Sequence, residues 1–188
     1  MKKVTKMLIP FLFIAFAGNA QAQAKINGIG GGIAMVMPTG DFSKLADSGM
    51  GIIFTTTHDQ DWVENVELTG SVGYVKFGEK SLGNDLQNLG VGFQFSLIPV
   101  MGGARYYLNG KEAPSKVWIG GNMGFHFVSL KFGDTTTFGY YSESENEVAM
   151  ALAGGAVLGG IGVEARISFL GDFNYFLASA SYSFPWGE

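Results

Sequence analysis

Beyond residue 25 the apolar and polar positions alternate with period two. In 66–74, Val66, Leu68, Gly70, Val72 and Tyr74 share one parity, and Glu67, Thr69, Ser71 and Gly73 take the other. In 161–169, Ile161, Val163, Ala165, Ile167 and Phe169 oppose Gly162, Glu164, Arg166 and Ser168. Around Met123 the apolar set is Ile119, Met123, Phe125 and Phe127 with Gly121, against Gly120, Asn122, Gly124 and His126. The last segment sets Phe176, Ala178, Ala180, Tyr182 and Phe184 against Tyr175, Leu177, Ser179, Ser181 and Ser183. Successive side chains of a strand point to opposite sides, so each segment reads as a strand with one apolar face and one polar or small face.

Eight such strands are predicted, at 26–38, 48–57, 63–77, 91–108, 117–130, 147–158, 160–170 and 173–185. The fourth changes phase: Val91, Phe93, Phe95 and Leu97 are odd, whereas Ile98, Val100, Ala104, Tyr106 and Leu108 are even. Beside Pro99 this predicts a bulge or kink. The connections 39–47, 78–90 and 131–146 are long, whereas 58–62, 109–116 and Gly159 are short. Long connections at one end and tight turns at the other predict an eight-stranded antiparallel up-and-down transmembrane β-barrel with its termini at the short-turn, periplasmic end. The seventh connection, 171–172, is short where the pattern asks for a long one. The uncharged run 148–163 contains Gly155-x-x-x-Gly159, a helix-dimer pattern. It is too short to span as a helix, and Gly159-Gly160 sits where a hairpin turn belongs. Gly28-Ile-Gly30 lacks the helix that a nucleotide fingerprint requires.

Composition decides which solvent the apolar face meets. Charged residues make up 15% of the 188-residue chain and glycines number 29. A soluble lipocalin-like barrel that carries an apolar ligand would turn its aliphatics inward and need a more charged exterior. Aromatics instead stand near strand ends on the apolar face, at Tyr74, Phe169 and Phe176 and at Tyr106, Tyr182 and Phe184, as interfacial girdles do. Lipid is therefore the expected neighbour, with glycines packed on the narrow inner face.

The start of the chain is an address label. Lys2, Lys3 and Lys6 precede the apolar run 7–18, and Ala20-Gln21-Ala22 supplies a small-residue cleavage pattern. Residues 1–22 are read as a signal peptide and 23–188 as the barrel domain. Without the leader, the net charge falls from −4 to −7. An acidic exported chain argues against a nucleic-acid partner. The chain has no cysteine, which excludes disulfides, thiolate metal sites and a lipid-anchored precursor.

The chain resembles the small bacterial outer-membrane β-barrel family, the type of OmpX and of the membrane domain of OmpA. The resemblance spans about 26–186 and rests on the eight alternating segments, on 98–108 running into a polar turn, and on the closing strand 173–184. It implies a final aromatic read by the barrel-assembly machinery, for which Phe184 and Trp186 are present, although Gly187 and Glu188 follow. It also implies outer-membrane lipid as the surroundings, and the chain is expected to act as a monomer.

Candidate chemistry is sparse. Glu67, Arg105, Glu164, Arg166 and His126 are expected to face the lumen as a structural charge network, because eight strands enclose little open bore. An ion or solute path is the alternative use of those charges. His126 and Ser129 fall on opposite strand faces, so they make no base–nucleophile pair, and only Ser181 or Ser183 could approach from another strand. With His58 as the other histidine, no metal spacing exists. No enzyme activity, metal or cofactor is expected. Tyr140, Tyr141, Glu143 and Glu145, beside Glu147, form a candidate contact site in loop 131–146 for an unidentified external ligand. The leading function is a structural or surface-contact role through the extracellular loops.

Overall fold

The computed structural model describes residues 25–59, 63–79, 91–134, 139–171 and 173–186. The leader 1–22 lies outside the described residues. Eight strands run in chain order: β1 (Lys25–Pro38), β2 (Ala46–Asp59), β3 (Val66–Glu79), β4 (Val91–Tyr107), β5 (Ser115–Asp134), β6 (Gly139–Leu158), β7 (Ile161–Phe169) and β8 (Tyr175–Pro185). Each pairs antiparallel with the next, and β8 pairs with β1 to close the barrel. The β6–β7 hairpin turns on Gly159 and Gly160, whose φ values of 57° and 85° suit a two-residue primed turn.

The parity derived from the sequence sorts inside from outside. Ile161, Val163, Ala165, Ile167 and Phe169 are all exposed on the outer wall, while Arg166 and Ser168 are buried. Large exposed hydrophobics ring the barrel, from Ile33 and Met35 on β1 to Tyr182 and Phe184 on β8. On β7 this outer set covers eight steps, ~27 Å along the strand and ~21 Å along the axis at an ordinary barrel tilt. A soluble barrel with aliphatics confined to its interior does not fit this surface.

Inward-facing glycines do steric work. A Cβ on Gly124 would collide with the Val100 carbonyl oxygen, and one on Gly32 with that of Ala180. Gly121 and Gly154, which face outward, have only ordinary contacts in the same test. A narrow barrel brings neighbouring backbones together on its concave side, and at these two positions only glycine fits.

Three expectations need correction. There is no bulge at Pro99: β4 keeps one register with β5 from Val91↔Asp134 to Tyr107↔Trp118. Pro99, which has no N–H to donate, only interrupts the assigned β3–β4 pairs opposite Gly73, without shifting the register. The phase change has another cause. Phe95 and Leu97 are buried inside the barrel, whereas Ile98 and Val100 are exposed outside. Second, 131–146 is not a long loop: β5 and β6 stay paired from Ser115↔Leu158 up to Asp134↔Gly139. Third, the last connection is slightly longer than 171–172, because β7 stops at Phe169 and β8 starts at Tyr175.

The interior therefore has two tiers. Toward the long-connection end it is an apolar core of Val36, Ile53, Val75, Phe77, Phe95, Leu97, Ala149 and Leu177. A 3-10 turn at Gly40–Lys44 lowers Phe42 onto that core. Its ring meets Phe77, Phe95 and Phe173 edge-on, with centroids 4.9, 5.3 and 5.4 Å away. Toward the short-turn end the interior is polar.

Candidate functional site

The polar tier gathers four of the five charges expected in the lumen. Glu67 and Arg105 are direct cross-strand partners on β3 and β4, with Arg105 Nε 3.6 Å from Glu67 Oε2. Tyr107 Oη donates to Glu67 Oε2 at 2.6 Å, and Asn27 Nδ2 donates to Oε1 at 3.3 Å. The bulge between Ile26 and Gly28 lets Asn27 reach inward, where its Oδ1 accepts from Thr57 Oγ1 at 3.2 Å. The carboxylate thus has three partners, which is how a buried charge is made tolerable. The Arg105 guanidinium also stacks on Trp118, 4.8 Å from the ring centroid.

Glu164 and Arg166 stand two apart on β7 and pair along the strand, Arg166 Nη2 lying 2.6 Å from Glu164 Oε1. The ion pairs therefore run along the wall or between adjacent strands, not across the lumen. Arg105, Glu164 and Arg166 line one small polar chamber. Its larger lobe is about 30 Å³, with Thr55, Trp118, Ser179, Ser181 and Ser183 in the wall. A second lobe of about 10 Å³ adds Thr69, Ser71 and Asn122. Such volumes hold a few water molecules, roughly one for every 10–15 Å³. Among the described residues Trp118 Nε1 and Arg105 Nε have no hydrogen-bond partner, and both side chains border this space. Above it the apolar tier and Phe42 fill the barrel.

His126 does not join this network through any hydrogen bond or ion pair among the described residues. It is fully buried where the two tiers meet, with Nε2 2.7 Å from Tyr175 Oη and Arg166 within electrostatic reach. Ser181 lies six residues along β8 from Tyr175, ~20 Å at strand rise, so neither Ser181 nor Ser183 meets His126. His58 is on β2 at the short-turn end, paired with Ile26 and Leu68. Among the described residues no three His, Asp or Glu side chains gather where a metal could bind.

The second candidate site is a strand. Tyr140, Tyr141, Glu143 and Glu145 lie on β6, opposite Gly133, Phe132, Leu130 and Val128 of β5. The side chains of Tyr140 and Tyr141 lie outside the described residues. β6 pairs with β7 only over Met150–Leu158. Among the described residues, 139–149 has no strand partner on the side away from β5. Glu143, Ser144, Glu145 and Asn146 are exposed and Glu147 is half-buried. The outer wall is apolar up to Phe127 on β5 and Val148 on β6, both exposed. Ser129, Lys131, Ser144 and Asn146 continue that face beyond it. The upper parts of β4, β5 and β6 thus form a three-stranded sheet standing clear of the apolar band.

Sequence reasoning missed Asn27, Tyr107, Trp118 and Phe42. Tyr107 shares the parity of Arg105, and Trp118 that of Asn122, so their inward direction was available. Asn27 was hidden by the bulge, and Phe42 by its place in a connection.

No protein-family model and no curated protein matches the chain. Solved structures do match it. Ail, the attachment invasion locus protein of Yersinia pestis, in complex with the heparin analogue sucrose octasulfate, aligns at 20% identity and a TM-score of 0.56, covering 86% of this chain and 99% of Ail. Neisserial surface protein A aligns at 12% identity and a TM-score of 0.54, covering 83% of this chain and 94% of that one. A major outer membrane protein of Thermus thermophilus aligns at 11% identity and a TM-score of 0.55, covering 84% of this chain and 99% of that one. At these identities the likeness is one of fold. With the closed antiparallel barrel and its apolar outer wall, it gives the chain the fold of the small eight-stranded outer-membrane β-barrels.

Proposed function

We propose that this protein is an integral outer-membrane barrel whose role is contact with molecules outside the cell, made through the protruding sheet of β4, β5 and β6. The observation that carries the reading is that sheet itself: it extends beyond the apolar band and, among the described residues, ends on an edge without a strand partner at 139–149. Transmembrane barrels place their tight turns in the periplasm and their longer elements outside, which supports an external position for the sheet. The filled interior supports a structural barrel over passage of a solute, since the apolar tier stands between the polar chamber and the outer mouth. Nothing in the chamber lends support to catalysis, so a non-enzymatic role is retained in this proposal.

A chain without cysteine offers a clean test of orientation. Ser144→Cys on the protruding sheet is expected to react with a membrane-impermeant maleimide on intact cells. Asn109→Cys, in the β4–β5 turn, is expected to react only after the outer membrane is opened. Labelling in the opposite order would reject the proposed arrangement.

A further inference from the structure

Buried polar groups are satisfied as a rule, and a cluster whose unsatisfied groups are donors calls for an acceptor. The polar chamber has this character. Trp118 is 5% exposed, and its indole can donate a hydrogen bond but not accept one. It lines both lobes, with Nε1 unpartnered among the described residues. Arg105 Nε, in the guanidinium stacked on that ring, is a second unpartnered donor on the same walls. A Cβ on Gly155 would stand 2.9 Å from Trp118 Cε2, the atom bonded to Nε1, and Gly155 pairs with Glu164. The bare backbone at 155 is what lets the indole lie against β6, next to Glu164 on β7.

The charge on the walls has the sign that the donors ask for. Arg105, Arg166 and Glu164 are the charged residues lining the two lobes, two cations to one anion. The Glu164 carboxylate is itself engaged, with Arg166 Nε and Nη2 both 2.6 Å from Oε1. Glu67, 3.6 Å from Arg105 Nε, turns its oxygens to Tyr107 and Asn27 and lines neither lobe. Ser179, Ser181 and Ser183 recur at every second position of β8 and add hydroxyls that rotate to donate. Hydrogen bonds from such donors to an ionised acceptor are the strong kind, and a low local dielectric strengthens them.

Size narrows the class of acceptor. The larger lobe, about 30 Å³, has room for roughly two or three water-sized bodies. Phosphate and sulfate each carry four oxygens of about that size and do not fit. A monatomic halide does.

We propose that this chamber is a binding site for one small monovalent anion, of the size and charge of chloride, held by Trp118 Nε1, the guanidiniums of Arg105 and Arg166, and the Ser181 hydroxyl. The site is independent of the protruding sheet. Its anion completes the hydrogen bonding of the polar tier.

For the test, the protein is folded in the uncharged detergent octyl glucoside in sodium gluconate. Gluconate, far too large for the chamber, is then replaced by chloride at constant ionic strength. The indole N–H resonance of Trp118, identified by its loss in Trp118→Phe, is expected to shift saturably. That of the exposed Trp186 is expected to stay in place, and sulfate to move neither. Ser181→Ala, which leaves the indole and both ion pairs intact, is expected to raise the chloride midpoint about tenfold, as loss of one hydrogen bond to a charged group does. Chloride is also expected to raise the urea midpoint of the wild-type protein, and that of Trp118→Phe much less. A Trp118 resonance that chloride does not move, or that sulfate moves equally, would overturn the anion site and leave the chamber to water. An unchanged chloride midpoint in Ser181→Ala, or equal chloride stabilisation of Trp118→Phe and wild type, would overturn the assignment of the anion to these residues.

Discussion

Arg105→Ala is expected to cost about 3–5 kcal/mol of folding stability, as loss of one partner of a buried ion pair does elsewhere. The variant leaves Glu67, 8% exposed, with Tyr107 and Asn27 as donors but no cation. It also strips the guanidinium from the face of Trp118. Each loss acts inside a lipid-surrounded wall, where the carboxylate cannot turn to bulk water. Pairing the change with Glu67→Gln removes the uncompensated charge, so the double variant is expected to recover most of the deficit. Urea unfolding of the protein in detergent micelles measures both. A loss below about 1 kcal/mol for Arg105→Ala would mean that Glu67 is already well solvated without the guanidinium.

A charge on the outer wall should be nearly as damaging, for a different reason. Ala165 sits midway along β7, outward-facing and exposed, between Gly154 of β6 and Ala178 of β8. Ala165→Arg introduces no steric clash with the interior, yet at the centre of a bilayer it is expected to cost about 2–4 kcal/mol. The same replacement at Ser144, beyond the apolar band, is expected to stay within about 0.5 kcal/mol. Unfolding titrations in phospholipid vesicles separate the two positions. Equal, small effects at both sites would place water rather than lipid against β7.

Much of this architecture was readable from period-two alternation alone. The inward direction of Glu67, Arg105, Glu164 and Arg166 followed from parity, because one register serves a whole strand once one of its faces must meet lipid. The apolar tier was misread for the same reason. Phe95 and Leu97 on one parity and Ile98 and Val100 on the other looked like a kink, since alternation shows that a face is apolar but not which solvent it meets. A phase change in apolar residues along an unbroken strand marks the height at which the lumen turns from polar to apolar. His126 was assigned to the charge network by parity. It stands at the height of Tyr175, however, and strand-to-strand stagger is not written in any single segment.

The upper parts of β5 and β6 were invisible for a further reason. Glu143, Glu145 and Glu147 alternate with Ser144 and Asn146, so both faces are polar and the pattern carries no hydrophobic contrast. Backbone pairing needs none, and it continues to Gly139. Phe42, flanked by Asp41 and Ser43, gave no periodic signal at all. Its role depends on a 3-10 turn that only the closed barrel mouth explains.

The central claim is that the apolar wall is solvated by lipid and that the closed barrel persists as a unit. Electrophoresis of the membrane fraction in dodecyl sulfate, with and without boiling, tests it most directly. Such a barrel should stay folded in the unheated sample and migrate at a different apparent mass from the boiled one. A single mobility in both samples, with the protein released from cells in a soluble fraction, would contradict the account.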